Sequence, residues 1–373
     1  MSIPFIDLAA QRRRLGPHID AAIARVLEHG AFILGPEVKQ LEERLAGFCG
    51  GTPCVTCANG TDALSLVMMA EGIGPGDAVF VPAFTFVASA EIVPPTGATP
   101  FFVDVLPNSF NIAPSSLLAA IEEAERLGLR PRMVVAVDLF GQPADYPALT
   151  EIAETHGLVL VADAAQSFGG SLHGRKTGSL AAYTTTSFFP AKPLGCYGDG
   201  GAVFTADPAR AALLRSLRVH GSGTNKYDNV RIGMNSRLDT LQAAILLEKL
   251  AIFADEIAAR DAVAARYNAA LGDLAGVPEL IAGASSAWAQ YTLLTENRDA
   301  LAAACREAGV PTNIYYPIPL NRQTGYRSYP VVPGGVPVSE SLASQVISLP
   351  MHPYLDEATQ DRIIAVVRSG LER

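Results

Sequence analysis

The feature that most constrains the fold is an alternation of short apolar runs and longer amphipathic segments between about residues 54 and 164. The apolar runs are CVTCA, AVFVPA, TPFFVDV, MVVAVDLF and LVLVADA. They are apolar at nearly every position, which is typical of parallel strands buried on both faces. The segments between them, TDALSLVMMAEG, TFVASAEIVPP, SSLLAAIEEAERLG and YPALTEIAETHG, predict helices. The predicted fold class is therefore α/β, with a doubly wound and mostly parallel sheet.

The rest of the chain predicts two further strands and a second, smaller unit. AAYTTTSFF and GGAVFTA, after residue 180, predict the two strands. A long helix is expected from about Leu238 past Ile257, because apolar residues there recur at spacings of three and four. We predict a large α/β domain over residues 1–248 and a small C-terminal α+β domain over residues 249–373, joined by that helix.

One lysine lies in an unusual local setting, in the segment SFFPAKPLGCYGDGG at residues 187–201. Pro190 and Pro193 hold Lys192 on a stiff, extended stretch, and the glycines after it let the chain fold back closely. Its immediate neighbours are mainly apolar. Desolvation lowers the pKa of a lysine, which suits Schiff-base chemistry. Taken alone, the segment fits an ordinary loop lysine equally well.

Polar or aromatic residues follow three of the predicted strands, at the sheet edge where open α/β sheets bind ligands. Gly60 and Thr61 begin a predicted helix whose free amides can hold a phosphate, although a plain helix cap accounts for them as well. Phe86 follows the second strand and serves either the core or a planar ligand. Asp163 ends the fifth strand, with Gln166 three residues on. A carboxylate buried there needs a cationic partner.

Together these residues match the requirements of pyridoxal phosphate. That cofactor needs a lysine for its Schiff base, a carboxylate for its pyridine nitrogen, amide donors for its phosphate and an aromatic ring over its own. The residues that meet these needs are Lys192, Asp163, Gly60 with Thr61, and Phe86, while Ser187 adds a hydroxyl. We predict a pyridoxal phosphate site with Lys192 and Asp163 as its catalytic residues, and no metal.

The chain resembles the DegT-type sugar aminotransferases of the fold type I pyridoxal phosphate class. The segments that carry the resemblance are NGTDAL, GPGDAVFVPAFTFVASAE, TPFFVDV, ADAAQSFG, SFFPAKPLGCYGDGGA and GMNSRLDTLQAAIL. The resemblance implies that Lys192 carries the cofactor, that Asp163 holds the pyridine nitrogen and that Phe86 stacks on the ring. It also implies a homodimer with active sites at the interface. The cofactor-binding residues that it implies are Gly60, Thr61, Phe86, Asp163, Gln166, Ser187, Lys192 and Asn235, the last from a second subunit.

Within that family, TSFFPAKPLGCYGDGGA and YPIPL look most like the 3-aminotransferases that act on UDP-linked 3-keto sugar uronic acids. This resemblance implies transfer of an amino group from L-glutamate in the synthesis of surface polysaccharide precursors. It also implies that Arg237, Tyr315 and Tyr316 bind the sugar. Tyr315 stands where the subgroup has a histidine, and a tyrosine cannot supply a positive charge. A neutral 3-keto-6-deoxy or 4-keto nucleotide sugar is therefore an alternative substrate.

Composition excludes several other classes of protein. The net charge of −9 and the lack of clustered Lys and Arg argue against a nucleic-acid surface. No apolar run has the length of a membrane span, and the N-terminus carries arginines where a signal peptide has its apolar core. We therefore expect a cytoplasmic protein without a membrane partner.

Four rival interpretations rest on single motifs or on the scaffold. Cys54 and Cys57 form one CxxC, for which two small residues on a buried strand is a better account than a metal site, because no second ligand pair follows. GGSLHGRKT at residues 169–177 is similar to a phosphate loop but has an arginine where the motif needs lysine. A non-catalytic regulator would not need Lys192, whereas a lyase or dehydratase on the same cofactor would.

Overall fold

Twelve strands among the described residues, 3–225 and 227–372 of this computed structural model, form one large and two small sheets. The strands are β1 (Cys54–Cys57), β2 (Asp77–Pro82), β3 (Thr99–Val103), β4 (Arg130–Val137), β5 (Val159–Asp163), β6 (Ser171–Leu172), β7 (Arg175–Lys176), β8 (Tyr183–Ser187), β9 (Gly201–Phe204), β10 (Ala284–Ser285), β11 (Tyr291–Leu294) and β12 (Val346–Leu349). The helices are α1 (Leu8–Leu15), α2 (Pro17–His29), α3 (Pro36–Phe48), α4 (Gly60–Ala70), α5 (Ala88–Glu91), α6 (Pro114–Arg126), α7 (Tyr146–His156), α8 (Pro208–Leu217), α9 (Thr240–Leu271), α10 (Arg298–Glu307), α11 (Pro337–Gln345) and α12 (Glu357–Leu371).

The large sheet has seven strands in the order β1-β9-β8-β5-β4-β2-β3. The five strands from β8 to β3 pair in parallel, whereas β9 is antiparallel to both β8 and β1. Every residue of β1, β2 and β9 is buried, as the continuous apolar runs predict. The predicted α/β class with a mostly parallel sheet is confirmed, and β8 and β9 are the two strands that flank the Lys192 segment.

Polar side chains cap the starts of several helices, and the cap of α4 is Asn59 and not Gly60 or Thr61. The Asn59 side chain accepts a hydrogen bond from the Asp62 N–H (2.8 Å) at the start of α4, and Asp207 and Asp356 cap α8 and α12 in the same way. One prediction was too long. The segment TFVASAEIVPP contains only the four-residue α5, followed by a 3₁₀ turn over Pro94–Thr96, because two successive prolines cannot continue an α-helix.

The long helix α9 runs for 32 residues, as predicted, and its two halves pack on different cores. Leu246 and Phe253 lie in a cluster with Phe168 and Phe204 against the large sheet. Val263 and Tyr267 instead pack in a second cluster beneath the small sheet of β11 and β12. The C-terminal part of the chain contributes to both cores. The residues from it that lie in the main core of the large sheet are Leu320, Val332, Val336, Leu342, Ala343 and Val346.

Two backbone hydrogen bonds with β3 hold part of that segment against the large sheet. The Phe102 N–H donates to the Pro330 carbonyl (3.0 Å), and the Val332 N–H donates to the Phe102 carbonyl (2.9 Å). The division into residues 1–248 and 249–373 stays a prediction. Among the described residues, no helix is long and apolar enough to span a bilayer.

Candidate active site

A cavity of about 510 Å³ opens where the parallel strands end. Its walls come from the start of α4, the chain after β2, the end of β5, the segment between β8 and β9, and the chain near residue 315. Nine of the residues proposed from the sequence line it, namely Gly60, Thr61, Phe86, Asp163, Gln166, Ser187, Lys192, Tyr315 and Tyr316. The volume is within the range of small-ligand and cofactor pockets.

Lys192 lies on a tightly hydrogen-bonded loop. The Lys192 N–H donates to the Phe189 carbonyl (2.9 Å), and the Cys196 N–H donates to the Phe188 carbonyl (2.8 Å). A Cβ at Gly195 would come within 2.6 Å of the Phe189 carbonyl oxygen, so the loop closes only with glycine there. Burial lowers the pKa of the Lys192 amine, and the nearby charge of Asp163 opposes that shift.

Asp163 ends β5 and is 7% exposed. Its carboxylate accepts hydrogen bonds from the Ser89 hydroxyl (2.9 Å) and from the Ala165 N–H (3.2 Å). Burial raises the pKa of this carboxyl, while the two hydrogen bonds and the charge of Lys192 lower it. Lys192 is thus a nearby cation whose charge acts on this carboxylate without a direct ion pair between the two side chains.

Gln166 and two aromatic residues form one side of the cavity. The Gln166 Oε1 atom accepts from the Phe140 N–H (2.6 Å), and its Nε2 atom donates to the Tyr316 hydroxyl (3.2 Å). The ring centroids of Phe86 and Tyr316 lie 6.0 Å apart, and Phe86 is 53% exposed. Phe86 is thus not a core residue, and its ring is accessible from the cavity.

The N-terminus of α4 meets Ser187 across the cavity floor. A Cβ at Gly60 would lie 2.7 Å from the Ser187 Cβ atom, so glycine is what lets the helix start approach the end of β8. The first backbone N–H groups of a helix have no partner within it and favour anions. The Ser187 hydroxyl, which accepts a hydrogen bond from the Phe189 N–H (3.2 Å), adds a donor beside them. This corner can hold a phosphate.

Asn235 and Arg237 do not line the cavity of their own chain. Between them, Ser236 is fully buried, and its hydroxyl accepts from the Ala58 N–H (3.1 Å). Because neighbouring side chains of an extended segment point to opposite sides, Asn235 and Arg237 are directed away from that contact. Asn235 is exposed and Arg237 is half-buried. These two predicted ligands are therefore not brought together with the other nine.

The site contains further polar residues that were not predicted from the sequence, among them Ser89, Thr85 and Gln290. Ser89 bonds Asp163 from α5, and Thr85 and Gln290 line the cavity with buried Thr85 Oγ1 and Gln290 Oε1 atoms that have no hydrogen-bond partner among the described residues. Thr85 and Ser89 lie in the same segment as Phe86, so their position after β2 was a usable signal. Gln290 is distant in sequence, and no local pattern indicated that it belongs to the site.

The residues present fit pyridoxal phosphate. The cavity combines a lysine of lowered pKa, a buried carboxylate, a helix N-terminus and an accessible aromatic ring. The unpartnered Thr85 and Gln290 oxygen atoms leave further hydrogen-bonding capacity for a polar ligand.

The rival motifs do not form sites. Cys54 and Cys57 are buried free thiols, and burial raises the pKa of Cys57 to about 12. No cluster of three metal-ligating side chains occurs within residues 3–225 and 227–372. GGSLHGRKT forms the two-residue strands β6 and β7 and a 3₁₀ turn rather than the helix start that a phosphate loop requires. The phosphate-loop interpretation is therefore wrong.

Comparison with known proteins identifies the family. The model of the DegT/DnrJ/EryC1/StrS aminotransferase family matches residues 14–368. The UDP-2-acetamido-2-deoxy-3-oxo-D-glucuronate aminotransferase of Pseudomonas aeruginosa is 49% identical over 98% of this chain and 99% of its own. A crystal structure of a DegT/DnrJ/EryC1/StrS aminotransferase from Brucella abortus covers all of both chains at 55% identity, with a TM-score of 0.98.

A second solved structure, DesV of S. venezuelae in complex with a ketimine intermediate, is 40% identical, with a TM-score of 0.95 over 100% of this chain and 99% of its own. Aminotransferases of this family use pyridoxal phosphate, and solved relatives contain it or its amine form. The chain therefore belongs to the DegT/DnrJ/EryC1/StrS aminotransferase family and is a pyridoxal phosphate-dependent aminotransferase.

Proposed function

We propose that this aminotransferase moves an amino group from L-glutamate to C3 of a UDP-linked 2-acetamido-3-keto sugar uronic acid. The observation that carries the proposal is the convergence of Lys192, Asp163 and the N-terminus of α4 on one cavity. The sugar is argued from the Pseudomonas aeruginosa relative, which is 49% identical across nearly the whole chain and is named for such a uronate. The cytoplasmic location and the role in surface polysaccharide synthesis rest on the sequence and stay predictions.

Each residue has a proposed role toward the cofactor. Asp163 holds the proton of the pyridine nitrogen, Gln166 bonds the ring hydroxyl and Phe86 packs on the ring face. The phosphate group is held by Gly60 and Thr61 at the start of α4 and by the Ser187 hydroxyl, with Asn235 from a second subunit. When bound, pyridoxal phosphate supplies an aldehyde that bonds an amine and a protonated ring that accepts the electron pair left when a carbon loses its proton.

Lys192 is the proposed proton carrier. Its amine is free to act once the amino donor is bound, and the lowered pKa keeps a larger fraction of it unprotonated near neutral pH. The Lys192 Nζ atom takes the proton from the α-carbon of glutamate and, in the reverse half-reaction, delivers a proton to C3 of the sugar. Asp163 opposes a further fall of the lysine pKa, since its charge favours the ammonium form.

The sites are proposed to be shared between two copies of the chain. Asn235 and Arg237 do not line the cavity of their own chain, which leaves them available to a neighbouring site. Beside them, the Phe32 carbonyl accepts from the Thr240 N–H (2.9 Å), and Phe32 and Ile33 are 46% and 47% exposed. Ile232, on the same segment as Asn235, is 87% exposed. Accessible apolar side chains around these polar residues favour a homodimer interface.

The sugar carboxylate needs a cation, and Arg237 is the proposed one. Tyr315 and Tyr316 line the cavity but offer only neutral hydroxyls. Arg237 forms no ion pair within the described part of the chain. A guanidinium that reaches the neighbouring cavity could bind a carboxylate in a bidentate manner.

The test is a spectroscopic half-reaction followed by a substrate panel. Purified protein is expected to show a visible absorption band of the lysine-linked cofactor that L-glutamate bleaches, and the UDP-linked 3-keto uronate is expected to restore it. Lys192→Ala should lack the band, whereas Lys39→Ala, whose side chain is 83% exposed, should keep it. A wild-type protein that cannot be loaded with pyridoxal phosphate contradicts the proposal. Restoration of the band by a neutral keto sugar but not by the uronate would show that the alternative sugar is the substrate.

A further inference from the structure

A second, much smaller cavity lies on the other side of Lys192. Its volume is about 10 Å³, close to the space that one water molecule occupies. Lys192 and Pro193 form one wall, and Gln11, Arg260 and His352 are among the residues of the others. These residues come from the Lys192 loop, α1, α9 and the chain between β12 and α12. Lys192 is thus the partition between this cavity and the active site.

Three of the lining residues carry four buried polar atoms that lack partners among the described residues. They are the Gln11 Oε1, Arg260 Nε, His352 Nδ1 and His352 Nε2 atoms. The three side chains are 8%, 5% and 2% exposed, respectively. A buried polar atom without a hydrogen bond costs about 1–3 kcal/mol, so four of them around one small space indicate that something polar occupies it.

The other polar atoms of these side chains are already bonded, which limits how the free ones can turn. The Gln11 Nε2 atom donates to Glu256 (3.0 Å), and the Arg260 guanidinium donates to the Trp288 carbonyl (2.9 Å). The Pro4 carbonyl lies near the His352 ring but outside hydrogen-bonding geometry. Rotation of Gln11 or Arg260 to satisfy the free atoms would break these bonds.

His352 is neutral at physiological pH. Burial, and next the charge of Arg260, lower the pKa of its imidazole to about 4. A neutral imidazole has one N–H donor and one acceptor nitrogen. The unpartnered set around the cavity therefore consists of the Arg260 N–H and one imidazole N–H as donors, and of Gln11 Oε1 and the other imidazole nitrogen as acceptors.

We propose that this cavity is a hydration site, in which one ordered water bridges Arg260, Gln11 and His352 against the rear of Lys192, and that His352 is a positioning residue for the lysine. One water molecule can accept from the Arg260 N–H, donate to Gln11 Oε1 and bond one of the two imidazole nitrogens, so it can bond every side chain of the set. The hydration site stands on the cavity and its unpartnered atoms alone, and only the consequence for catalysis rests on the proposed role of Lys192.

The water changes the surroundings of the lysine amine. Burial without a polar neighbour disfavours the ammonium form, and a water behind the amine reduces that penalty. The charged and titratable groups that face His352 and the cavity are Asp7, Lys192, Arg260, Tyr354 and Asp356. Asp163 acts on Lys192 from the opposite side. Loss of the water should therefore lower the pH at which Lys192 becomes nucleophilic.

The experiment uses cofactor-free full-length protein, so that it is independent of transamination. Lys192 is labelled with an acylating reagent across a pH series, and its labelling rate is measured by peptide mass spectrometry. His352→Phe, which fills the cavity, should shift the midpoint to lower pH by about half a unit, equal to about threefold faster labelling at fixed pH. His352→Gln, which keeps a donor and an acceptor, should retain the wild-type profile, as should the control His18→Phe on an exposed residue.

A high-resolution crystal structure supplies the direct test. Electron density for a water bonded to His352 supports the proposal, and an empty cavity overturns it. A His352→Phe profile identical to that of the wild type overturns the positioning role. Should His352→Phe fail to fold, Gln11→Met, which removes one acceptor of the set, should give the same direction of shift. Normal labelling of Lys192 in a protein that cannot bind pyridoxal phosphate would refute the proposed function while leaving the hydration site intact.

Discussion

At the scale of single residues, burial disfavours the charged forms of both Asp163 and Lys192. Burial raises the pKa of the Asp163 carboxyl, and burial lowers the pKa of the Lys192 amine, while each group moves the pKa of the other toward its charged form. The two charges therefore support one another across the cavity. Two uncharged donors, the Ser89 hydroxyl and the Ala165 N–H, bond the carboxylate and fix its orientation. Charge and orientation can thus be separated by mutation.

Asp163→Asn should remove the charge and keep the shape. The amide oxygen can still accept from Ser89 or from the Ala165 N–H, so we expect a folded protein with a kcat lowered by about 10²–10³-fold, the usual loss when one preorganised electrostatic group is removed. Steady-state kinetics and the Tm of the variant check both parts. Ser89→Ala, which removes one hydrogen bond but not the charge, should lose less than about tenfold. Equal losses in the two variants would show that orientation, not charge, is what Asp163 contributes.

At the scale of secondary-structure elements, α9 holds the loop that carries Lys192. The Lys249 Nζ atom, fully buried, donates to the Gly195 carbonyl (2.6 Å) and lies 4.3 Å from the centre of the Tyr197 ring. About two turns earlier, the Gln242 side chain accepts from the Tyr197 N–H (2.9 Å). Two consecutive turns of the helix therefore bond the segment just after Lys192. The long helix both joins the two cores and fixes this loop.

Lys249 should give the protein a distinctive dependence of stability on pH. Burial lowers its pKa from 10.5 to about 8. Between these values the unfolded chain binds more protons than the folded one, so the free energy of unfolding should rise with pH by up to about 1.4 kcal/mol per unit. Lys249→Met should abolish this rise between about pH 8 and 9.5, as measured by urea denaturation. Lys39→Met, at an exposed position, should retain the rise. If Lys249→Met retains it as well, the rise is caused by other groups.

Elements with a local signal could be predicted, and contacts between distant segments could not. The apolar runs of β1 to β5 are visible in the sequence, as was the convergence of Lys192 and Asp163 on one sheet edge. The pairing of residues 330 and 332 with Phe102 depends on three-dimensional packing and has no local pattern. The unpartnered oxygen of Gln290 was unpredictable for the same reason.

At the scale of the whole molecule, we propose that a second copy of the chain supplies part of the active site. Nine of the proposed residues line one cavity, while Asn235 and Arg237 lie outside it. The segment from Ile232 to Arg237 is linked to the rest of the chain by the Val219–Asn235 bridge and by the bond of Ser236 to Ala58. The segment is therefore anchored at Asn235 and Ser236, and the Asn235 side chain is exposed. An anchored segment outside the cavity fits the proposal that Asn235 and Arg237 serve a neighbouring subunit.

Mixing two inactive variants tests this arrangement. In a dimer with shared sites, a hybrid of a Lys192→Ala chain and an Asn235→Ala/Arg237→Ala chain has one site with every defect and one fully wild-type site. Random exchange of subunits makes half of the dimers hybrids, so about a quarter of the wild-type kcat should return on mixing, with a wild-type KM for the keto sugar. Neither variant alone should recover activity after the same denaturation and refolding. If each chain used its own Asn235 and Arg237, no hybrid would contain an intact site, and the mixture would stay as inactive as its components.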